Sequence, residues 1–200
     1  MSKINKLLGI VTENERYTKE QLITYLGNKR SLLDFIGNVV LEVKRELGIE
    51  KLRVMDGFSG SGVVSRYMKR HASHIISVDM EKYSCVINKC YLSNPSPEKI
   101  EYIKSTIDNI EMSLDYGEGI IANMYCPKDD NNILPGERVF YTNRNGRYID
   151  SFRKQIENHQ DIKEYLIAPL LSKASVHVNT SGIFKGFYKD NNGVGCFGGN

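Results

Sequence analysis

The sequence predicts an α/β fold that opens a doubly wound parallel sheet. Three observations carry that expectation. An amphipathic helix leads into a short apolar strand, the strand ends in a carboxylate and a glycine-rich turn, and the turn opens a helix and a second strand that again ends in aspartate.

The elements follow in order. Residues 31–47 place Leu32, Leu33, Ile36, Val39, Val40, Val43 and Leu47 at the i, i+3/i+4, i+7 spacing of an amphipathic helix, and Gly48 is its stop. Lys51-Leu52-Arg53-Val54-Met55-Asp56 reads as a strand. Gly57-Phe58-Ser59-Gly60-Ser61-Gly62 is a turn that opens a helix running to about Arg70. Ile75-Ile76-Ser77-Val78-Asp79 reads as the second strand and residues 81–92 as a helix. Ser96-Pro97-Glu98 starts another, with a capping serine and proline at the first helical position.

The second half loses this rhythm. Residues 115–150 are rich in Asn, Asp, Gly and Tyr and read as loop, with 128–132 the most exposed part. Residues 150–158 and 161–175 read as helices, and 176–188 mix polar residues with glycine and aromatics. The last eight residues hold four glycines and resemble neither a closing helix nor a closing strand. Only two strands are identifiable, fewer than a doubly wound domain needs, so a partial sheet is expected.

At 200 residues and 22.8 kDa the chain has the size of one domain or part of a larger one, and 40% hydrophobic with 26% charged residues is a globular composition. No apolar run reaches the roughly 20 residues of a bilayer span, and the N-terminus has no signal-peptide cleavage site, so a soluble, cytoplasmic chain is expected, with no membrane partner. Cys85, Cys90, Cys126 and Cys196 form no metal-ligand spacing and read as reduced thiols, and His71 and His74 offer no better case for a metal.

Residues 1–100 hold 16 Lys/Arg against 11 Asp/Glu, and residues 101–200 hold 11 against 13. The more acidic half nevertheless carries a basic cluster, Arg138, Arg144, Arg147, Arg153 and Lys154, interleaved with Tyr141 and Tyr148. A local cluster of this kind bears on phosphate binding more than the chain total does.

A glycine turn between strand and helix lets backbone N–H groups approach a ligand closely. Asp79, 17 residues beyond Gly62, can accept hydrogen bonds from both hydroxyls of a ribose; without a ligand it would cap the following helix. These features fit any adenosine-containing cofactor. The dinucleotide fingerprint, however, takes glycine or alanine where this chain has Ser65, and the Asp56 carboxylate suits a cationic amino-acid tail better than a pyrophosphate.

Asp56-Gly57-Phe58-Ser59-Gly60-Ser61-Gly62 resembles the Asp-x-Phe-x-Gly-x-Gly motif of S-adenosylmethionine-dependent, adenine-specific DNA methyltransferases. About 30 residues upstream, Tyr25-Leu26-Gly27-Asn28-Lys29-Arg30 resembles that family's aromatic-x-Gly-x-Lys element. Phe140-Tyr141-Thr142-Asn143, with Asn145, Gly146, Asp150 and Arg153, and the segment from Val178 through Phe187 are similar to stretches of type II modification methylases. The resemblance spans most of residues 20–200. It implies a Rossmann-like methyltransferase fold, with residues 1–112 binding S-adenosyl-L-methionine and residues 113–200 forming a target-recognition region for double-stranded DNA. Tyr25 would pack on the cofactor beside Gly27, and Lys29 would pair with its carboxylate. Asp56, Phe58, Ser59, Gly60 and Gly62 would enclose its methionine and sugar, and Asp79 would hold the ribose.

The family transfers methyl beside an Asp-Pro-Pro-Tyr motif that holds a flipped-out adenine. This sequence has none; Asn94-Pro95-Ser96-Pro97 is the nearest string and lacks the aromatic. No catalytic residue is therefore assigned. The chain is expected to stop before its own active site, with a C-terminal half carrying that motif as its complement. Arg138, Arg144, Arg147, Arg153 and Lys185 are candidates for phosphate or guanine contacts, and Asn143 for adenine. The function implied is adenine methylation in a restriction–modification system. The alternatives are an RNA or small-molecule methyltransferase, or a DNA-binding remnant without chemistry.

Overall fold

The computed structural model describes residues 15–24, 27–180 and 186–198. They divide into two compact units, one ending at Ser93 and the other beginning at Asn94.

The first unit contains α1 (Glu15–Lys19), a 3-10 turn (Arg30–Leu32), α2 (Leu33–Leu47), β1 (Leu52–Asp56), α3 (Val63–Met68), β2 (Ala72–Ser77) and α4 (Lys82–Leu92). α2 ends as its sequence dictates, with Gly48 left-handed at φ 65° and its N–H on the last carbonyls of the helix. β1 and β2 pair in parallel from Leu52–Ala72 to Asp56–Ser77, with one register shift after Leu52, and α3 lies between them in the chain. Leu52, Val54 and Ile75 pack against a core of Leu33, Val40, Val63, Tyr67 and Met68. The alternate residues Arg53, Met55 and Ile76 are exposed.

β2 starts and ends earlier than its apolar run predicts. Its limits follow the ladder, because Ala72 and His74 through Ser77 are those that find a partner on β1. Asp79 thus lies two residues past the strand, and its carboxylate is free to turn toward the glycine loop. The described residues contain only this two-stranded parallel sheet; a doubly wound sheet is not built from them.

The second unit contains α5 (Pro97–Met112), α6 (Ile120–Tyr125), α7 (Asn143–Ile156), a 3-10 turn (Gln160–Ile162) and α8 (Lys163–Val176). α5 begins as predicted, with Ser96 Oγ accepting the Lys99 N–H. This helix falls on the far side of the unit boundary from the glycine turn, because Ile110 is buried with Phe152, Ile156, Ile162 and Leu166.

Two expectations for this half are corrected. Residues 115–150 are not continuous loop. Thr142 caps α7 through the Asn145 N–H, so the helix starts at Asn143 and not at 150; Asp150, reaching back from it, accepts the N–H groups of Ile121 and Ala122 and fixes the start of α6. The glycine-rich end is not shapeless either. Asp190 N–H bonds to Val194 O and Cys196 N–H to Tyr188 O, forming a tight hairpin. Asn179 ties it down, donating to Val139 O and Cys196 O and accepting from the Gly198 N–H. Among the described residues no helix is long and apolar enough to cross a membrane.

The glycine at 62 has two constraints and the one at 48 has one. Both are left-handed, but a Cβ at Gly62 would lie 2.1 Å from Asn88 Oδ1, whereas one at Gly48 would meet nothing within 4 Å. Gly48→Ala should cost about 1 kcal/mol of backbone strain. Gly62→Ala should cost at least about 1 kcal/mol more, because Asn88 must give up buried hydrogen bonds. Chemical denaturation of the two variants beside the parent checks the difference.

Candidate cofactor site

The turn between β1 and α3 is closed by hydrogen bonds from below and from the side. Val78 N–H donates to Asp56 O at 2.8 Å, Ser59 N–H to Val78 O at 3.0 Å, and Gly62 N–H to Ser59 O at 2.8 Å. Gly60 N–H donates to Asp79 Oδ2 at 2.7 Å, and Glu81 N–H to Asp79 Oδ1 at 2.9 Å. One carboxylate therefore fixes the turn and the start of α4 together. These backbone donors, Glu81 first and then Gly60, hold the Asp79 carboxyl below its ordinary pKa.

Beneath the turn lies a buried polar cluster. Ser84 Oγ donates to Gly60 O at 2.6 Å, and Asn88 Nδ2 donates to Ser59 Oγ at 2.9 Å and to Ser84 Oγ at 3.2 Å. Asn88 Oδ1 is buried without a hydrogen-bond partner among the described residues. On the next side, Arg66 is fully buried, its guanidinium reaching Ser61 O at 3.4 Å and Glu20 O at 2.7 Å, and burial lowers its pKa. Arg66 thus joins the turn to the segment after α1. Arg70 reinforces that join through Thr18 Oγ1, and the Tyr17 hydroxyl through Tyr91 O.

Asp56, Ser59, Gly60, Gly62 and Asp79 are therefore brought together. Ser59 and Asp79, with Ser77, Cys85, Asn88 and Lys89, line a hollow of about 280 Å³. Phe58 stands at the tip of the turn, 93% exposed. Lys29 is exposed and bonds to Gly27 O at 2.6 Å; no hydrogen bond joins it to the glycine turn. Tyr25 lies outside the described residues. Ser65, Arg66, Ser84 and Asn88 escaped the sequence reading. Only Ser65 left a signal, as the hydroxyl at a position where a dinucleotide site takes glycine or alanine.

In the second unit the basic cluster comes apart on inspection. Arg147 is committed to protein, with Nε on Asn143 Oδ1 at 2.7 Å, one terminal nitrogen on Tyr116 O at 3.2 Å and the other paired with Glu118. Asn143 is committed as well: its side chain also donates to Pro127 O, and its N–H donates to Asp130. Arg153 pairs with Glu157 one turn along α7, and Arg138 lies over the Tyr125 ring with a 3.4 Å contact to Met124 O. Arg144 is exposed and makes no contact of this kind among the described residues, beside a hollow shared with Tyr116, Asn145 and Tyr148. Lys185 lies outside the described residues.

Residues 25–192 match the sequence model of the D12 class N6 adenine-specific DNA methyltransferase family. The chain belongs to this family. It is 29% identical over 175 residues to the type II methyltransferase M.NlaIII of Neisseria lactamica, a match covering 84% of this chain and 50% of that protein. It is 31% identical over 177 residues to the modification methylase LlaI of Lactococcus lactis subsp. lactis, covering 82% of this chain and 27% of that protein. The chain thus spans about half the length of the first relative and about a quarter of the second. No solved structure matches it significantly.

Asp79 gives this D12 family member a pH signature. Its lowered pKa means that its contribution to stability is complete above about pH 4, the ordinary carboxylate range, and is lost as pH falls through the lowered value. Asp79→Asn leaves one of the two backbone donors facing an amide N–H₂. The stability gap between parent and variant should be constant from pH 7 to about 5 and close below about pH 4, as read by denaturation at each pH.

Proposed function

We propose that the chain is the cofactor-binding and target-recognition part of an adenine-specific DNA methyltransferase of a restriction–modification system, acting in the cytoplasm. The whole protein moves a methyl group from S-adenosyl-L-methionine to the exocyclic amino group of adenine in double-stranded DNA. The observation that carries the reading is the pair of carboxylates flanking one glycine turn, Asp56 at the end of β1 and Asp79 just past β2, held in place by backbone and serine donors.

The donor set fits S-adenosylmethionine. Asp79 already accepts one N–H on each oxygen, and each oxygen keeps a second lone pair for a ribose hydroxyl. Asp56 Oδ1 has no protein donor among the described residues and offers a negative acceptor for the ammonium of an amino-acid tail. Lys29, whose ammonium now rests on Gly27 O, is a cation for the tail's carboxylate, with Tyr25 and Gly27 beside it. Phe58, Ser59, Gly60 and Gly62 form the wall of the turn. The bound cofactor supplies an electrophilic methyl group; these side chains bind and orient it. A pyrophosphate would instead meet the Asp56 carboxylate as a like charge, which disfavours a nicotinamide dinucleotide.

The sheet supports a Rossmann-like arrangement, with residues up to Ser93 as the cofactor part and the second unit as the DNA-reading part. The sequence holds no Asp-Pro-Pro-Tyr, so the reading leaves the methyl-accepting adenine to a C-terminal segment beyond these residues.

Two measurements test this. In calorimetric titration S-adenosylmethionine should bind and NAD should not, and Asp79→Ala should weaken S-adenosylmethionine by about 1–3 kcal/mol; tighter binding of NAD would sink the proposal. For DNA, Arg144→Ala should reduce the slope of log affinity against log salt by about 0.9, the share of one phosphate contact. Arg147→Ala should instead lower thermal stability, because it breaks the links to Glu118, Tyr116 and Asn143. An unchanged slope for Arg144→Ala would return α7 to an ordinary solvated face.

A further inference from the structure

Ser65 sits in the first turn of α3 with no exposed surface. Its hydroxyl lies 2.6 Å from Asp56 Oδ2 and 3.3 Å from Ser77 Oγ. A carboxylate can only accept, so the single Ser65 hydrogen goes to Asp56 across the shorter contact, and the longer approach to Ser77 on β2 is secondary. Ser65, on the helix, thus stands between the side chains of Asp56 on one strand and Ser77 on the other. A hydrogen bond from a fully buried hydroxyl to a carboxylate oxygen is of the strong, charge-assisted kind. The Ser65 bond fixes which way Asp56 faces: Oδ2 is held by the hydroxyl, and Oδ1 has no protein donor among the described residues.

We infer that Ser65 is a positioning residue that orients Asp56 to receive the cationic end of the cofactor's amino-acid tail. The inference rests on the cofactor reading above and adds to it a residue outside both motifs. A glycine or alanine at 65, as a dinucleotide site uses, would allow close helix–strand packing but leave Asp56 Oδ2 without a donor and free to rotate. The hydroxyl at this position therefore matches a site that presents a carboxylate to a cation, and would have no such task in one built to hold a pyrophosphate.

The test uses two ligands that differ in the tail. S-adenosylhomocysteine keeps the ammonium and carboxylate, and 5′-methylthioadenosine has neither, so a defect confined to Asp56 is felt by the first alone. In calorimetric titration of the 200-residue chain, Ser65→Ala should weaken S-adenosylhomocysteine about tenfold, the worth of one hydrogen bond to a charged group. It should leave 5′-methylthioadenosine within about twofold, inside the scatter of distant sites. In an Asp56→Asn background, Ser65→Ala should have no further effect on S-adenosylhomocysteine, because the residue acts through Asp56. Should Ser65→Ala fold poorly, Ser65→Cys, of similar shape and with a weak S–H donor, should show the same preference at smaller size. Equal weakening of both ligands, no weakening of either, or a full effect persisting in Asp56→Asn would each overturn the inference. A parent chain that binds both ligands equally would overturn it by removing the tail contact. A parent that binds neither would overturn the cofactor reading itself.

Discussion

The Asp79 carboxylate is the constraint on which the first unit turns. A glycine turn has no apolar side chain to hold it, since its one large apolar residue, Phe58 at the tip, is almost wholly in solvent. What fixes it is an acceptor reaching across from the end of the neighbouring strand. The same carboxylate accepts the N–H of Glu81, the residue just before α4, so two parallel strands, the turn and the approach to the following helix share one electrostatic anchor. The arrangement requires the strands to be parallel and in register, because only then do both carboxyl ends arrive at one edge.

Under that anchor the unit departs from ordinary core design. Ser59, Ser84 and Asn88 are buried where a helix–strand contact would normally be apolar, and Arg66 is buried beside them. Buried polar groups hold a backbone in one conformation at the expense of stability when left incomplete. Asn88 Oδ1 and Arg66 Nε are incomplete. The cluster trades stability for a turn with a defined shape, which a ligand-binding loop needs.

The sequence made the first unit legible and the second only in part, for physical reasons. Helix 33–47 announced itself by periodicity and by Gly48, and the turn by its glycines between a carboxylate-ended strand and an apolar helix. β2 was misplaced by a few residues because apolar character does not say where a ladder begins; its partner does. α7 was partly read as loop because Asn143, Asn145 and Gly146 lower helix propensity, while the Thr142 cap and the packing of Phe152 and Ile156 decide the matter. Arg147 on it looked as available as Arg144 because composition cannot tell an arginine that faces solvent from one that staples a loop. Arg66 gave no cue at all, since its partners are backbone carbonyls 5 and 46 residues away.

That last contact has a practical reach. Arg66 spans the glycine turn and the backbone near Glu20, so the stretch containing Thr18 and Glu20 belongs structurally to the ligand loop although it is far from it in sequence. A shortened version of the protein begun at residue 21 would keep both recognisable motifs yet strip Arg66 of its Glu20 acceptor and Arg70 of Thr18, cutting the links that hold this side of the turn. For anyone trimming, fusing or permuting this protein, the first boundary that respects the fold lies upstream of α1, not at the first motif.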